Sequence, residues 1–222
     1  MPSRRTWLIA GGALVVVAAG AIGGPLVYAA LEEDAPPAPT VQAQPSDAAL
    51  VSETDGSWTV GTGSSAGYRV HEVLNGADVT VAGTTDQVTG AVVIGGGDLA
   101  DADVTVDVAS IATDNGRRDD YFRGNVMDVG ANPTATFSVT QPADLPELSG
   151  TPVTVPVTGE LTLRGVTQQV QTEISVVRTA EGVDVSGSVP VTFGDYGIGP
   201  PNLGFVRVDE QGEVEFFLRL TQ

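Results

Sequence analysis

The stretch GVDVSGSVPVTF, residues 182–193, alternates apolar and polar side chains with a period of two. Successive side chains of a β-strand point to opposite faces of the sheet, so this period is typical of a strand with one buried face and one wet face. The predicted buried face consists of Val183, Val185, Val189, Val191 and Phe193. Residues 104–110 and 213–220 show the same period. The stretch therefore predicts a half-buried antiparallel strand.

Similar strand signals recur from Ser57 to the end of the chain. Parallel strands need crossover helices of a dozen residues or more between them, and the sequence shows none. About eight antiparallel strands close most economically into a barrel, because closure removes exposed sheet edges. We therefore predict an all-β, antiparallel, up-and-down β-barrel of about eight strands over residues 56–222.

The inward faces of these strands carry Val, Leu, Ile, Phe and Tyr and scarcely an ionisable group. An eight-stranded barrel has an interior that side chains fill completely or that holds one small ligand. A cavity with this lining would prefer an apolar ligand. The period of two does not distinguish a solid core from such a cavity.

The composition excludes several classes of function. The formal net charge is −18, which repels phosphate backbones, so we expect no nucleic-acid partner. The chain has no Cys and a single His, so thiolate chemistry and multi-His metal centres are excluded. No spacing of carboxylates follows a calcium-binding loop. We expect no metal and no cofactor.

The N-terminus predicts export from the cytoplasm. Arg4 and Arg5 precede an uncharged apolar run over residues 6–31, and about 20 such residues span a bilayer. Because the basic residues come first, residues 1–31 are expected to be a cytoplasmic stub and a single transmembrane anchor with the C-terminal domain outside the cytoplasm. Two alternatives stay open: cleavage at the Ala-Gly-Ala of residues 19–21, which would release a soluble form, and twin-arginine export.

Residues 32–55 are rich in Pro, Ala, Gln and acidic side chains and show no period. Such a composition cannot bury a core of its own. We expect a flexible, disordered linker here, with a reach on the order of 70 Å if it is largely polyproline-like.

Three stretches resemble the YceI family of lipocalin-like barrels. The longest is SIATDNGRRDDYFRGNVMDVGANPTATF, residues 110–137, in which Ser-Ile-x-Thr, Arg-Asp, Asp-Val and Pro-Thr-x-x-Phe follow the family pattern. GELTLRGVTQQV, residues 159–170, and DYGIG, residues 195–199, follow two further family motifs in the right order. The sequence departs from the family pattern at Tyr121 and Phe122 and at Val126 and Met127. It also departs at Phe193, a position at which the family has Arg.

Because members of this family hold a long isoprenoid tail under a helical segment, the resemblance implies an apolar isoprenoid ligand, such as a quinone or a polyprenyl lipid. Residues 116–128 would be a short helical lid, with Asp114 or Asn115 as its N-cap. The alternative is that this segment only closes one end of a barrel whose interior is filled by side chains. The side chains that we expect to line the ligand site are Tyr68, Val70, Val106, Tyr121, Phe122, Met127, Phe137, Leu161, Tyr196 and Phe216.

His71 is the only imidazole in the chain, and it alternates away from Tyr68 and Val70. No G-x-S-x-G nucleophile elbow accompanies it, so we expect no enzyme. The sequence leaves two main hypotheses: a membrane-tethered binding protein that carries or sequesters an isoprenoid lipid, and a solid barrel that acts as an envelope interaction or stress-protection module. A lipid hydrolase or isomerase that depends on His71 is a weaker third.

Overall fold

The computed structural model describes residues 34–222, except 75, 203 and 205. The predicted membrane anchor in residues 1–31 lies outside the described residues. Among the residues that are described, no helix combines the length and the apolar character needed to cross a bilayer.

The described part of the chain forms one sheet of eleven strands in which every pairing is antiparallel. The strands are β1 Gly56–Val60, β2 Ser65–Leu74, β3 Ala77–Thr85, β4 Val88–Gly95, β5 Asp98–Asp107, β6 Thr134–Val139, β7 Ala143–Asp144, β8 Val153–Leu163, β9 Val166–Arg178, β10 Val183–Thr192 and β11 Val206–Thr221.

Eight of these strands form a closed ring in the order β1-β4-β5-β6-β8-β9-β10-β11, and the pairing of β1 with the end of β11 closes it. The prediction of an all-β antiparallel barrel of about eight strands is confirmed. A tight turn of two residues, Arg164 and Gly165, joins β8 to β9. Both residues have positive φ, and a turn of this conformation matches the twist of a hairpin.

The β2–β3 hairpin extends the wall at one end of the ring. β2 pairs with the first part of β11, from Val206 to Phe217, whereas β1 pairs with its last two residues. β3 meets the segment after β5 through an isolated bridge between Thr84 and Ala112. We call the end with the β2–β3 hairpin the upper end and the end with the β4–β5 turn the lower end.

The lower end is packed around Trp58, which is 2% exposed. Its indole nitrogen donates a hydrogen bond to the carbonyl oxygen of Thr54 at 2.9 Å. Leu220, Val183 and Val155, from three other strands, are buried in the same cluster. Each occupies an inward position of the period of two, so alternation along the strands places this part of the core correctly.

Residues 34–55, which we call the strap, form no helix or strand but lie against the outer wall of the barrel. Hydrogen bonds join the strap to β3, β2, β10 and the lower loops: Asp34 and Ala35 to Thr80, Pro36 to Arg69, Val41 to Ser186, Gln44 to Gly150, and Val51 and Ser52 to the β9–β10 region. Val41 is buried.

These contacts correct the expectation of a free, disordered linker. Composition shows only that the segment cannot bury a core of its own. It does not show that the outer wall offers Arg69, Ser186 and Arg178 as partners for the strap's backbone groups. Prolines lack an amide hydrogen, so the strap has fewer donors to satisfy, and its carbonyl oxygens accept from the two arginines.

Candidate functional site

A short helical segment covers the upper end of the barrel. After the 3₁₀ turn Val108–Ser110, the helix α1 spans Gly116–Tyr121 and continues into a π-helical turn, Phe122–Val126. The side chain of Asn115 accepts a hydrogen bond from the backbone amide of Arg117 at 3.1 Å, which is an N-cap contact. The predicted helical segment and the predicted Asn115 cap are both confirmed.

A buried carboxylate fixes the start of this segment. Asp119 accepts hydrogen bonds from the amide nitrogen and the hydroxyl group of Thr113, at 2.9 and 2.7 Å. Hydrogen bonds to an ionised carboxylate are among the stronger contacts in proteins. Asp119 therefore ties α1 to the loop before it.

Beneath this segment lies a cavity of about 490 Å³. This volume lies within the usual range of small-molecule sites, about 300–1,000 Å³. Its lining is mostly apolar and comes from β2, β5 and β11 as well as from the helical segment; it includes Tyr68, Val70, Val106, Phe122, Met127 and Val214. The upper end of the barrel is therefore hollow, and a solid core does not describe it.

A second cavity of about 100 Å³ lies deeper in the barrel and reaches Val183 and Leu220 of the lower cluster, but not Trp58. Phe137, Leu161 and Phe216 line it. Four residues line both cavities, namely Ala66, Val106, Ala135 and Val214. The two cavities are thus neighbouring compartments of one barrel interior.

Glycines in the wall accommodate the aromatic rings of the interior. A Cβ atom placed on Gly83 would lie 2.6 Å from the ring of Tyr68, and one placed on Gly187 would lie 2.8 Å from the ring of Phe216. Gly159 is related in the same way to Phe137, at 2.5 Å. These rings lie close against strand backbone where no side chain competes with them, which leaves space nearer the barrel axis.

The mouth of the upper cavity carries charged side chains. Glu72 lies on the inward face of β2, and its side chain is 7% exposed. Arg118 of α1 lies 3.6 Å from it and forms a shorter ion pair, 2.6 Å, with the exposed Asp114. Glu213 also lines the cavity. An otherwise apolar space therefore has a polar, hydrogen-bonding end beside the helical segment.

Tyr68 joins the wall to the helical segment. Its ring stacks on that of Phe122, with centroids 4.7 Å apart and planes inclined by 21°. Burial raises the pKa of the Tyr68 phenol far above its usual value; Asp119, Glu72 and Asp114 raise this pKa further, and Arg118 opposes them. The phenol therefore stays neutral throughout the physiological pH range.

The structure brings most of the predicted site residues together. Those that line the upper cavity are Tyr68, Val70, Val106, Tyr121, Phe122 and Met127, and those that line the lower one are Val106, Phe137, Leu161 and Phe216.

Tyr196 is the exception and requires a correction. It is buried in the core cluster that also contains Val189 and Ile198, but it lines neither cavity. The 3₁₀ turn Phe193–Tyr196 interrupts the period of two after β10, so the inward direction of that strand does not carry over to Tyr196.

Sequence reasoning missed Glu72, Pro200 and Pro201, which line the upper cavity. Glu72 was detectable, because it follows Tyr68 and Val70 at the inward positions of β2. The two prolines lie in the β10–β11 loop, where no periodic signal exists.

His71 lies on the outer face of β2 and is exposed. Its Nδ1 atom is 3.1 Å from the hydroxyl oxygen of Thr80. Within the described part of the chain, no three His, Asp or Glu side chains gather as metal ligands.

A family model described as the YceI-like domain matches residues 58–220. The chain belongs to the YceI family. Two curated relatives are UPF0312 proteins, one from Pseudomonas paraeruginosa with 33% identity over 104 residues and one from Pseudomonas aeruginosa with 30% identity over 102 residues. Each match covers 43% of this chain, and the chain spans about half the length of these relatives.

Two solved structures share the fold. One is a polyisoprenoid binding domain from Saccharophagus degradans implicated in plant cell wall breakdown, with a TM-score of 0.60, 19% identity, and coverage of 74% of this chain and 97% of that one. The other is BcnA of Burkholderia cenocepacia, with a TM-score of 0.57, 21% identity, and coverage of 75% and 96%. At this identity the likeness establishes the barrel architecture.

Proposed function

We propose that this protein binds an isoprenoid lipid, of quinone or polyprenyl type, inside the barrel and carries or sequesters it. The observation that carries the proposal is the apolar cavity of about 490 Å³ under the helical segment, with a second apolar compartment beneath it. The Saccharophagus domain, described as polyisoprenoid binding, has the same fold and supports this ligand class.

The shape of the interior matches a molecule with a polar head and a long apolar tail. The tail would extend past Val106 and Ala135, which line both compartments, towards Phe137 and Phe216. The head would remain at the mouth, where Glu72 and Arg118 offer hydrogen-bonding groups.

We also propose that the apolar run in residues 6–31 anchors the protein in the cell membrane, with the barrel outside the cytoplasm. Arg4 and Arg5 before the run support this orientation. If the run is cleaved instead, the same barrel is an exported soluble carrier.

The test is organic extraction and mass spectrometry of the full chain purified from its native membrane, which should return a stoichiometric isoprenoid. Ala135→Phe is the variant expected to lose the bound lipid, because the new ring would occupy the space where the two compartments adjoin. Thr134→Phe on the same strand is the control, since Thr134 is exposed. We expect Ala135→Phe to lose most of the bound lipid and Thr134→Phe to keep it.

Protein from the native membrane that carries no isoprenoid, and that does not take one up from detergent solution, would contradict the proposal. Equal occupancy in the two phenylalanine variants would contradict the position of the tail. The first of these outcomes would favour the alternative of an envelope interaction module.

A further inference from the structure

The described chain begins on the wall of the cavity. The amide nitrogen of Thr80, on the outer face of β3, donates to a carboxylate oxygen of Asp34 at 2.8 Å, and the amide of Ala35 donates to the carbonyl oxygen of Thr80 at 2.9 Å. The next residue along β3, Val81, points inward and lines the upper cavity. Asp34 is therefore separated from the cavity by the thickness of one strand.

The strap is fixed over most of its length, so it does not act as a long spacer. From Thr80 it crosses Arg69 of β2 and Ser186 of β10 and continues to the lower end, where Arg178 binds the carbonyl oxygens of Val51 and Ser52. A free linker of this length would reach on the order of 70 Å. Held in this way, it leaves only Glu32 and Glu33 between the apolar run and Asp34.

This length of chain limits how far the barrel can be from the end of the apolar run. Leu31, the last residue of the run, is three residues before Asp34, and a fully extended chain covers at most about 3.6 Å per residue. The end of the run therefore lies within roughly 11 Å of Asp34, which is hydrogen-bonded to β3 near the cavity mouth.

The mouth has side chains that suit a lipid surface. Pro200 and Pro201 of the β10–β11 loop line it, as does Tyr121, whose side chain is among the exposed large apolar groups at 36% exposure. Tyrosine is a residue that membrane interfaces favour. The helical segment also brings Arg117 and Arg118 to this mouth in a chain whose net charge is −18. Arginine side chains can meet lipid phosphates.

We propose that the rim of the upper cavity, formed by Tyr121, Arg117, Pro200 and Pro201, docks on the surface of the bilayer that holds the anchor, and that the strap sets this position. The inference rests on the proposed anchor in residues 6–31. An isoprenoid would then pass between bilayer and cavity without crossing bulk water.

The absence of Cys makes the orientation directly measurable. Gly199→Cys, next to Pro200, and Gly95→Cys, at the end of β4, form a matched pair. A Cβ at either position meets no atom within 4 Å, and neither glycine has a positive φ. Gly199 lies in the loop after β10 at the upper end, and Gly95 lies at the lower end. β5, which runs from the lower to the upper end, has 10 residues and is about 33 Å long at about 3.3 Å per residue.

Each variant of the full chain is labelled with a fluorophore and reconstituted in phosphatidylcholine–phosphatidylglycerol vesicles that contain a nitroxide headgroup lipid. We expect the label at Gly199→Cys to be quenched several-fold more than the label at Gly95→Cys. Equal quenching at the two positions, or stronger quenching at Gly95→Cys, would overturn the inference.

A second variant tests the strap itself. A Gly/Ser segment of about ten residues inserted between Glu33 and Asp34 adds roughly 17 Å of root-mean-square reach and changes no contact of the barrel. We expect quenching at Gly199→Cys to fall several-fold and the transfer of a fluorescent polyprenyl probe from vesicle to protein to slow to a similar degree. The same segment added after Gln222 is the control and should change neither.

The outcomes separate this inference from the proposed ligand. If the barrel binds the probe from solution but the insertion changes neither quenching nor transfer, the docking proposal fails and the ligand proposal stands. If quenching shows the expected asymmetry but no probe binds, docking stands and the ligand proposal fails. Protein that does not float with the vesicles overturns docking.

Discussion

The two ends of the barrel have the same sequence pattern, but the interior of the lower end is packed and that of the upper end is hollow. At the lower end, Trp58 lines neither cavity and is buried in one cluster with the inward residues Val183 and Leu220. At the upper end, inward residues such as Val106 and Val214 are only half-buried, because they face a cavity. Both ends alternate apolar and polar side chains with a period of two.

Which end is filled depends on what closes it. At the lower end β1 completes the ring between β4 and β11, and the indole of Trp58 enters the space. At the upper end the β2–β3 hairpin widens the wall, and the Thr84–Ala112 bridge and the helical segment span the remaining gap. The difference shows that one continuous sheet can form a barrel with a filled lower end and a hollow upper end.

The largest expected effect is at the packed end. Trp58→Ala should lower the free energy of unfolding by about 3–5 kcal/mol, because it removes a fully buried ring and opens a cavity. Urea unfolding followed by circular dichroism measures the loss. Thr59→Ala, the exposed neighbour, should change stability by about 0.5 kcal/mol or less. A loss at Trp58 as small as this would show that the lower end is not the stable base.

The same truncation at the hollow part should cost less. Phe137→Ala should lower the free energy of unfolding by about 1–2 kcal/mol, because the ring already faces a cavity and loses fewer contacts than a ring in a filled core. The unfolding experiment is the same. A loss equal to that of Trp58→Ala would remove the distinction between the two ends and favour a packed interior.

Tyr68, at the hollow end, should also make the barrel less stable at alkaline pH. The pKa of Tyr68 is raised by burial, so above a pH of about 10 the unfolded chain releases a proton that the folded protein retains. The free energy of unfolding should then fall by about 1.4 kcal/mol per pH unit until the folded phenol itself ionises. Stability measured against pH should fall less steeply in Tyr68→Phe. Identical slopes for the two proteins would contradict the burial of this phenol.

The smallest effects are expected for ion pairs at the mouth. Arg123 pairs at 3.0 Å with the exposed Asp120, so Arg123→Gln should cost less than about 0.5 kcal/mol. Arg118→Gln should cost more, about 1 kcal/mol, because its partner Glu72 is buried. Thermal unfolding of the two variants side by side tests the order. The reverse order would show that Glu72 does not depend on Arg118.

Much of the fold and part of the site could be predicted from local patterns. Alternation placed Val106 and Phe216 on the inward face, and an Asn before charged and aromatic residues indicated the capped helical segment. Tyr196 could not be placed, because it lies in a 3₁₀ turn, where no period of two gives the direction of a side chain. The partners of Arg118 could not be chosen either, since Glu72 lies on a different strand, far away along the chain.

By itself the sequence determined that this protein is an acidic, cysteine-free antiparallel barrel with a short helical insertion, since alternation and capping are local properties of the chain. Only the tertiary structure decided that one end is hollow and the other filled, and that residues 34–55 lie against the wall. Both outcomes depend on groups that are remote in sequence. The volume beneath the helical segment follows from how glycines and aromatic rings of neighbouring strands meet, and the strap's path follows from partners on the outer wall.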